Sequence, residues 1–356
     1  MVVLVCFGRG LGAAEDINAR MVGDSVSLCA ALGVSRVARV TGLDRTGVEV
    51  ACAVRPGGHV LQVTNGKGER FDEAARGALC EAAELWAAER VDPATLRGGP
   101  DGLAYVDARD LFTGAPVRLP AAAVHCPPAG APLLGDPGIP WTTNGMGAAP
   151  SWPVAVLHAL LETVERHALA EALPDGFTAR EVRARLVGRE GAPRAAALAA
   201  RIEAGGFDVF FLDCTGSIAL PVAAALLFDR ERGPVPLAAG YACRLTADEA
   251  LRAALLEAAQ SRATDVHGAR EDVAPMDPGD VDALRAMCAR ARPRRSARAV
   301  VKLPAVRGAA AGLRAVLGRL QRAGFDRAAA LDLAPDGFPL RVAKVLVPGF
   351  RVSGLL

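Results

Sequence analysis

Three stretches of this chain bear harder on its fold than anything else in it. Over residues 72–89, Ala74, Ala78, Leu79, Ala82, Leu85 and Trp86 recur at helical intervals, and Glu81 and Glu84 stand among them. Residues 153–172 repeat the pattern behind a proline suited to a first helical turn, with Glu162 and Glu165 followed by Arg166. Residues 247–266 do so again with Glu257, Gln260 and Arg262. Residues three apart share one face of a helix, so each stretch can aim two oxygen-bearing groups at one point. Their neighbours are small and apolar: Leu79-Cys80, Leu160-Leu161 and Leu255-Leu256. A carboxylate in such surroundings is costly to charge without a cation or metal nearby. Magnesium takes oxygen ligands, commonly a few carboxylates together with substrate phosphates. Several facing carboxylates with arginines between them suit a metal–triphosphate site. A solvated helix face is the rival reading for any one pair alone.

Between and around these helices the pattern changes period. Residues 2–7, 36–41, 48–55, 59–64, 208–213, 218–228, 298–304, 327–333 and 340–347 read as strands, and a further helix is expected near 310–323. Asp44-Arg45-Thr46-Gly47 and Pro56-Gly57-Gly58 supply hairpin turns. Hairpins mixed with long helices predict an α+β fold, with antiparallel and mixed sheets and the acidic site carried on the helices. A chain of 356 residues with 51% hydrophobic content is expected to form a single catalytic domain over 1–356, with a strand–helix extension at 1–30.

A formal net charge of +2 is too near neutral for a nucleic-acid coat or a membrane-surface binder. The run Arg290, Arg292, Arg294, Arg295, Arg298 is local: a solvated face, or a docking patch for an acidic partner or leader peptide. Ile218 to Phe228 contains Pro221 and is too short to span a bilayer. The eight cysteines are scattered singly, without metal-ligand spacing, and read as small core residues in a reducing cytoplasm. His158 and His167 read as satisfied helix histidines, and Trp86, Trp141 and Trp152 as packing residues.

Two glycine-rich passages precede the first two helices. Thr64-Asn65-Gly66-Lys67-Gly68 is read as a loop whose amides and Lys67 could approach an anion, an ordinary strand–turn–helix being the rival. It lacks the Walker A spacing. Thr142-Thr143-Asn144-Gly145-Met146-Gly147 occupies the same kind of position.

Taken in order, these segments carry a resemblance. Leu32-Gly33-Val34, Arg39-Val40-Thr41-Gly42-Leu43-Asp44, Ala53-Val54-Arg55-Pro56 and Gly66-Lys67-Gly68, leading into Glu81 and Glu84, resemble the opening of the YcaO family. Thr143-Asn144-Gly145-Met146 followed by Leu161-Glu162-Thr163-Val164-Glu165-Arg166-His167-Ala168 resembles its central motif. Glu257-Ala258-Ala259-Gln260-Ser261-Arg262, with Gly268-Ala269-Arg270-Glu271-Asp272, resembles its third, and Val347-Pro348-Gly349 its closing strand. The resemblance implies an enzyme that uses ATP and magnesium to phosphorylate a backbone amide oxygen of a ribosomally made precursor peptide. It implies that Glu81, Glu84, Glu162, Glu165 and Glu257 hold magnesium. It places Lys67, Asn144, Arg166 and one or both of Gln260 and Arg262 on the nucleotide, and it identifies no catalytic residue beyond these.

Ring-forming members typically end in a proline-rich tail, whereas this sequence ends Arg351-Val352-Ser353-Gly354-Leu355-Leu356. That leans toward the group installing thioamides with a TfuA-like partner, the alternative being azoline formation with an E1-like partner. A homodimer is compatible with either. Thr143, the run Ala149-Pro150-Ser151, Val154 and Ala253 depart from the family pattern and keep a non-catalytic scaffold, binding a partner or a leader peptide, as a third reading. A dinucleotide-binding reading of Val2–Phe7 with Gly8, Gly10 and Ala13 fails on the missing acidic residue about 20 positions on.

Overall fold

The structure, a computed structural model, describes residues 25–129, 134–136, 138, 140–268, 277–293, 295–303 and 306–352. The strand expected over 2–7 and its glycine fingerprint lie outside them, as do residues 269–272 of the third motif. The architecture is α+β, as expected. It comprises two compact units. The first holds the described residues up to Val40, Glu49–Ala159 and Arg327–Leu346; the second holds Thr41–Val48, Leu160–Asp326 and the described residues from Val347.

One construction recurs in both units. A strand containing a glycine runs through a tight turn into a long helix that folds back across it. Val63–Gly68 leads into Phe71–Glu89, Met146–Ala149 into Trp152–Ala172, and Leu237–Cys243 into Ala247–Val266. A side chain at the strand glycine would collide with helix backbone. A Cβ on Gly66 would lie 2.0 Å from the Ala74 carbonyl oxygen and 2.3 Å from the Ala78 nitrogen. On Gly147 it would meet Ala155 and Ala159 at 2.5 and 2.9 Å, and on Gly240 Ala254 and Ala258 at 2.4 and 2.2 Å. In every case the helix answers the glycine with alanines four apart. Small residues on both sides let backbone lie against backbone, which gives the abundant alanine a packing role.

The first unit contains two sheets. Arg36–Arg39, Glu49–Val54 and Val63–Gly68 pair antiparallel in sequence order. The second sheet runs Arg97–Gly98, Ala104–Asp110, Ala329–Asp332, Arg341–Leu346, Met146–Ala149, with Pro116–Pro120 also on Ala104–Asp110. Its core joins Val37, Ala51 and Ala53 to Ala78, Leu79 and Ala82 of the first long helix and to Met146 and Val342. The second unit is built on Leu237–Cys243, Val222–Asp229, Phe207–Asp213, Leu186–Gly188 and Arg295–Ser296, in that spatial order, only the last pair parallel. Every residue of Val222–Asp229 is buried, which is why that strand reads as an unbroken apolar run. The Ala247–Val266 helix starts on Thr246, whose side chain accepts from the Glu249 amide.

The structure corrects parts of the sequence reading. The expected loop Thr64–Gly68 is itself strand, its residues registered against Glu49–Ala53. Its glycine serves helix packing instead of an anion cradle. The strand expected over 298–304 is absent from its described residues, which hold a short 3-10 turn at Ala297–Ala299. The helices Ala179–Arg185, Pro193–Ala204 and Pro278–Arg290 and the strand Ala104–Asp110 were not legible.

These contacts set the cost of adding one methyl group. Gly66→Ala is expected to destabilise by about 3 kcal/mol or more, since both atoms it meets are backbone. Gly318→Ala, in a helix whose nearest atom to a new Cβ is 3.9 Å away, should be neutral or stabilising by up to about 1 kcal/mol. Urea denaturation of the two variants checks the pair.

Candidate functional site

Three of the five expected metal-binding glutamates share a structural task. An edge strand presents outward N–H groups that need an acceptor. Val63–Gly68, Met146–Ala149 and Leu237–Cys243 each end a sheet. Glu81 accepts from the Asn65 amide at 2.9 Å, Glu84 from Ala148 at 2.8 Å and Glu165 from Cys243 at 3.0 Å. Glu81 thus comes from the helix that follows its strand, whereas Glu84 and Glu165 each come from the long helix preceding the strand whose edge they close. The spacing behind this is repeated: Glu81 and Glu84 stand 15 and 18 residues after Gly66, and Glu162 and Glu165 stand 15 and 18 after Gly147. One accepted amide bond does not exhaust a carboxylate, which has about four lone-pair sites.

In the second unit, Glu165 of the helix Trp152–Ala172 feels the charges of Glu162 on the same helix and of Glu257 on Ala247–Val266. Glu165 is buried, and its carboxyl is pushed up to about 8. Burial is the first cause; Glu257 and Glu162 raise it further, while Arg166 and Arg244 pull it down. Arg166 lies 3.4 Å from Glu162, one turn away. Tyr241, on the edge strand, senses both Glu257 and Glu165, and its phenol is held well above its ordinary range, first by burial. Neither Tyr241 nor Arg244 was singled out from sequence. Tyr241 lies on the strand before the third helix and Arg244 just past its end, where a tyrosine and an arginine carry no motif of their own. Among the described residues, no three His, Cys, Asp or Glu side chains are grouped so as to hold a metal by themselves.

In the first unit, half-buried Lys67 lies on the Val63–Gly68 strand. Half-buried Asn144 lies in the turn before Met146–Ala149, its Oδ1 buried without a hydrogen-bond partner. In the second unit the Arg166 Nε is likewise buried and unpartnered. Gln260 is half-buried on the third helix.

Arg262, expected on the nucleotide, has a different task. It is buried, with Nε donating to Asp44 at 2.9 Å and Nη2 to Asp229 at 2.8 Å, while Nη1 donates to the Val235 carbonyl. Its guanidinium lies 4.9 Å from the Phe207 ring centroid. All three nitrogens are engaged within the unit, so Arg262 is a structural cation holding Thr41–Val48 to the sheet.

His167 is buried and only half satisfied, its Nε2 having no hydrogen-bond partner. It accepts from the Arg351 amide at 3.0 Å and stacks on Phe350 with centroids 4.5 Å apart. The seven described cysteines are free, in keeping with core thiols. No helix of the described residues is long and apolar enough to cross a membrane.

A carboxyl whose folded pKa is raised binds a proton that the unfolded chain releases, so stability falls as pH rises. Without magnesium or nucleotide, the urea midpoint is expected to drop between pH 5 and pH 8, the window between an ordinary glutamate of about 4.3 and the raised Glu165. Glu165→Gln keeps an acceptor for Cys243 and should flatten that drop. Equal slopes in the two proteins would show that Glu165 is not its source.

Comparison with known proteins places this geometry. The family profile described as YcaO cyclodehydratase, ATP- and Mg2+-binding, matches residues 100–351. An "Uncharacterized protein" of Methanothermobacter thermautotrophicus is 31% identical over 279 residues, 70% of each chain. A Rhizobium leguminosarum bv. trifolii protein described as lying in the tfuA 3' region is 27% identical, covering 90% of this chain and 84% of its own. The fold is that of YcaO from Methanopyrus kandleri, solved with AMPPCP and Mg2+, at a TM-score of 0.76 and 20% identity over 95% of this chain and 91% of the other. The chain belongs to the YcaO family, the cyclodehydratase family whose cofactors are ATP and Mg2+.

Proposed function

We propose that this protein activates a backbone amide of a ribosomally made peptide by transferring the γ-phosphoryl group of ATP to the amide oxygen, and that the product is a thioamide made with a TfuA-like partner. The observation that carries the reading is the buried Glu165 carboxyl, raised first by burial and further by the charges of Glu257 and Glu162. A buried carboxylate is stabilised in its charged form by pairing with a cation or by coordinating a metal.

The residues fit the cofactors. Glu162, Glu165 and Glu257, and in the first unit Glu81 and Glu84, offer the oxygen ligands magnesium takes. Lys67, Asn144, Arg166 and Gln260 are assigned to the nucleotide. The Asn144 Oδ1 in the first unit and the Arg166 Nε in the second are each buried without a hydrogen-bond partner, which a ligand could supply. Bound magnesium and ATP supply the phosphoryl group and neutralise its charge. The chain's own work is positioning and electrostatic complementarity, because phosphoryl transfer asks little covalent chemistry of the protein.

Activation answers a specific difficulty. An amide carbon is a poor electrophile, and its oxygen becomes a good leaving group once it carries phosphate. A sulfide equivalent adding to that carbon, followed by departure of phosphate, exchanges oxygen for sulfur. A neighbouring cysteine, serine or threonine side chain adding instead closes an azoline. The Rhizobium relative's tfuA neighbourhood favours the thioamide reading. The family's cyclodehydratase description favours azoline formation with an E1-like partner as the second.

Intact-mass analysis of the precursor peptide after incubation with protein, partner, ATP and magnesium separates the two. The thioamide reading predicts a gain of about 16 Da and the azoline reading a loss of about 18 Da, each with one phosphate released per event. Glu84→Gln and Glu165→Gln, which keep an acceptor for Ala148 and Cys243, are expected to lower peptide-dependent phosphate release at least about 100-fold while the fold persists. Full activity in both variants would remove the assigned carboxylates from the reaction.

A further inference from the structure

The turn Trp141–Gly145 is held at nearly every residue, and its strongest tie is a buried lysine. Lys344, on the strand Arg341–Leu346, is 1% exposed. It is registered against Met146. Its ammonium donates to the Thr142 carbonyl at 2.7 Å and to the Asn144 carbonyl at 2.8 Å. It also lies 5.7 Å from the Trp141 ring centroid. The Trp141 indole donates to Val124 at 3.0 Å, and Val345 donates to the Gly145 carbonyl at 2.8 Å. The turn closes with the Met146 amide on the Thr143 carbonyl at 3.0 Å and with Gly145 at φ +78°, a conformation that glycine adopts without strain.

Burying an ammonium costs several kcal/mol, and a bare turn could be built without one. This cation shapes three residues that carry an acceptor left buried without a hydrogen-bond partner, the Asn144 Oδ1. We infer that Lys344 is a positioning residue for nucleotide binding, fixing the Thr142–Asn144 backbone so that the Asn144 side chain is pre-set for a ligand group. An amide oxygen held in this way accepts from an N–H or O–H or ligates a hard cation, and both chemistries occur in a magnesium-bound nucleoside triphosphate. The lysine acts through the two carbonyls and need not touch the ligand. The inference rests on the assignment of Asn144 to the nucleotide.

The test is calorimetric titration of Mg2+–AMPPCP into the full chain. Wild-type binding is the control for the underlying reading: no binding there would overturn the nucleotide assignment itself. Given wild-type binding, Lys344→Met and Asn144→Ala are each expected to weaken it about tenfold, about 1.4 kcal/mol. The double variant should be no weaker than either single one, because both changes remove the same contact. Lys344→Gln, which retains one donor, should recover part of the affinity and serves as the test if Lys344→Met does not fold. A folded Lys344 variant with wild-type affinity, or effects that add in the double variant, would overturn the inference and leave Lys344 as a core residue only.

Discussion

Glu165 sets the problem that the surrounding residues answer. Its carboxyl is buried beside two more acids, and the groups that offset this are an edge amide and two arginines. In water a glutamate loses its proton near pH 4; here it holds it to about pH 8. A site of that kind is at odds with itself until positive charge arrives. Folding tolerates it because the two helices that carry the acids are secured elsewhere, by alanine–glycine contact with their strands and by burial of many of their apolar side chains.

The same glutamates are therefore architectural and chemical at once. Glu81, Glu84 and Glu165 each close the outer edge of a sheet, so their helices and strands are registered by the groups proposed to meet the metal. A carboxylate tied at one oxygen to a backbone amide has few rotamers left, which pre-organises it at little further entropic cost. This also explains why the repeated spacing from strand glycine to glutamate pair is kept in two different strand–helix passages.

Much of this was legible from the chain and some was not, for identifiable reasons. The long helices announced themselves through period and length, and their acids through apolar neighbours. Asn65, Gly66 and Gly68 read as turn chemistry because those residue types usually make turns, but here glycine answers the helix lying 2.0 Å from where its Cβ would be. Arg262 fits a phosphate in sequence and an ion-pair network in three dimensions, since Asp44 is 218 residues away along the chain. Lys344 gave no signal at all: a lysine in an apolar strand looks like a solvated edge until its carbonyl partners, 200 residues away or more, are in place. What sequence lacked in each case was a long-range partner.

The central claim is that the second unit's acids bind a divalent ion together with nucleotide, and Mn2+ can report on it in place of Mg2+. Electron paramagnetic resonance follows free Mn2+ as protein is added with and without a non-hydrolysable ATP analogue. The account predicts that wild-type protein depletes the free signal beyond what the analogue does alone. A folded Glu162→Gln, Glu165→Gln, Glu257→Gln triple variant should not. Equal depletion by the triple variant would contradict it.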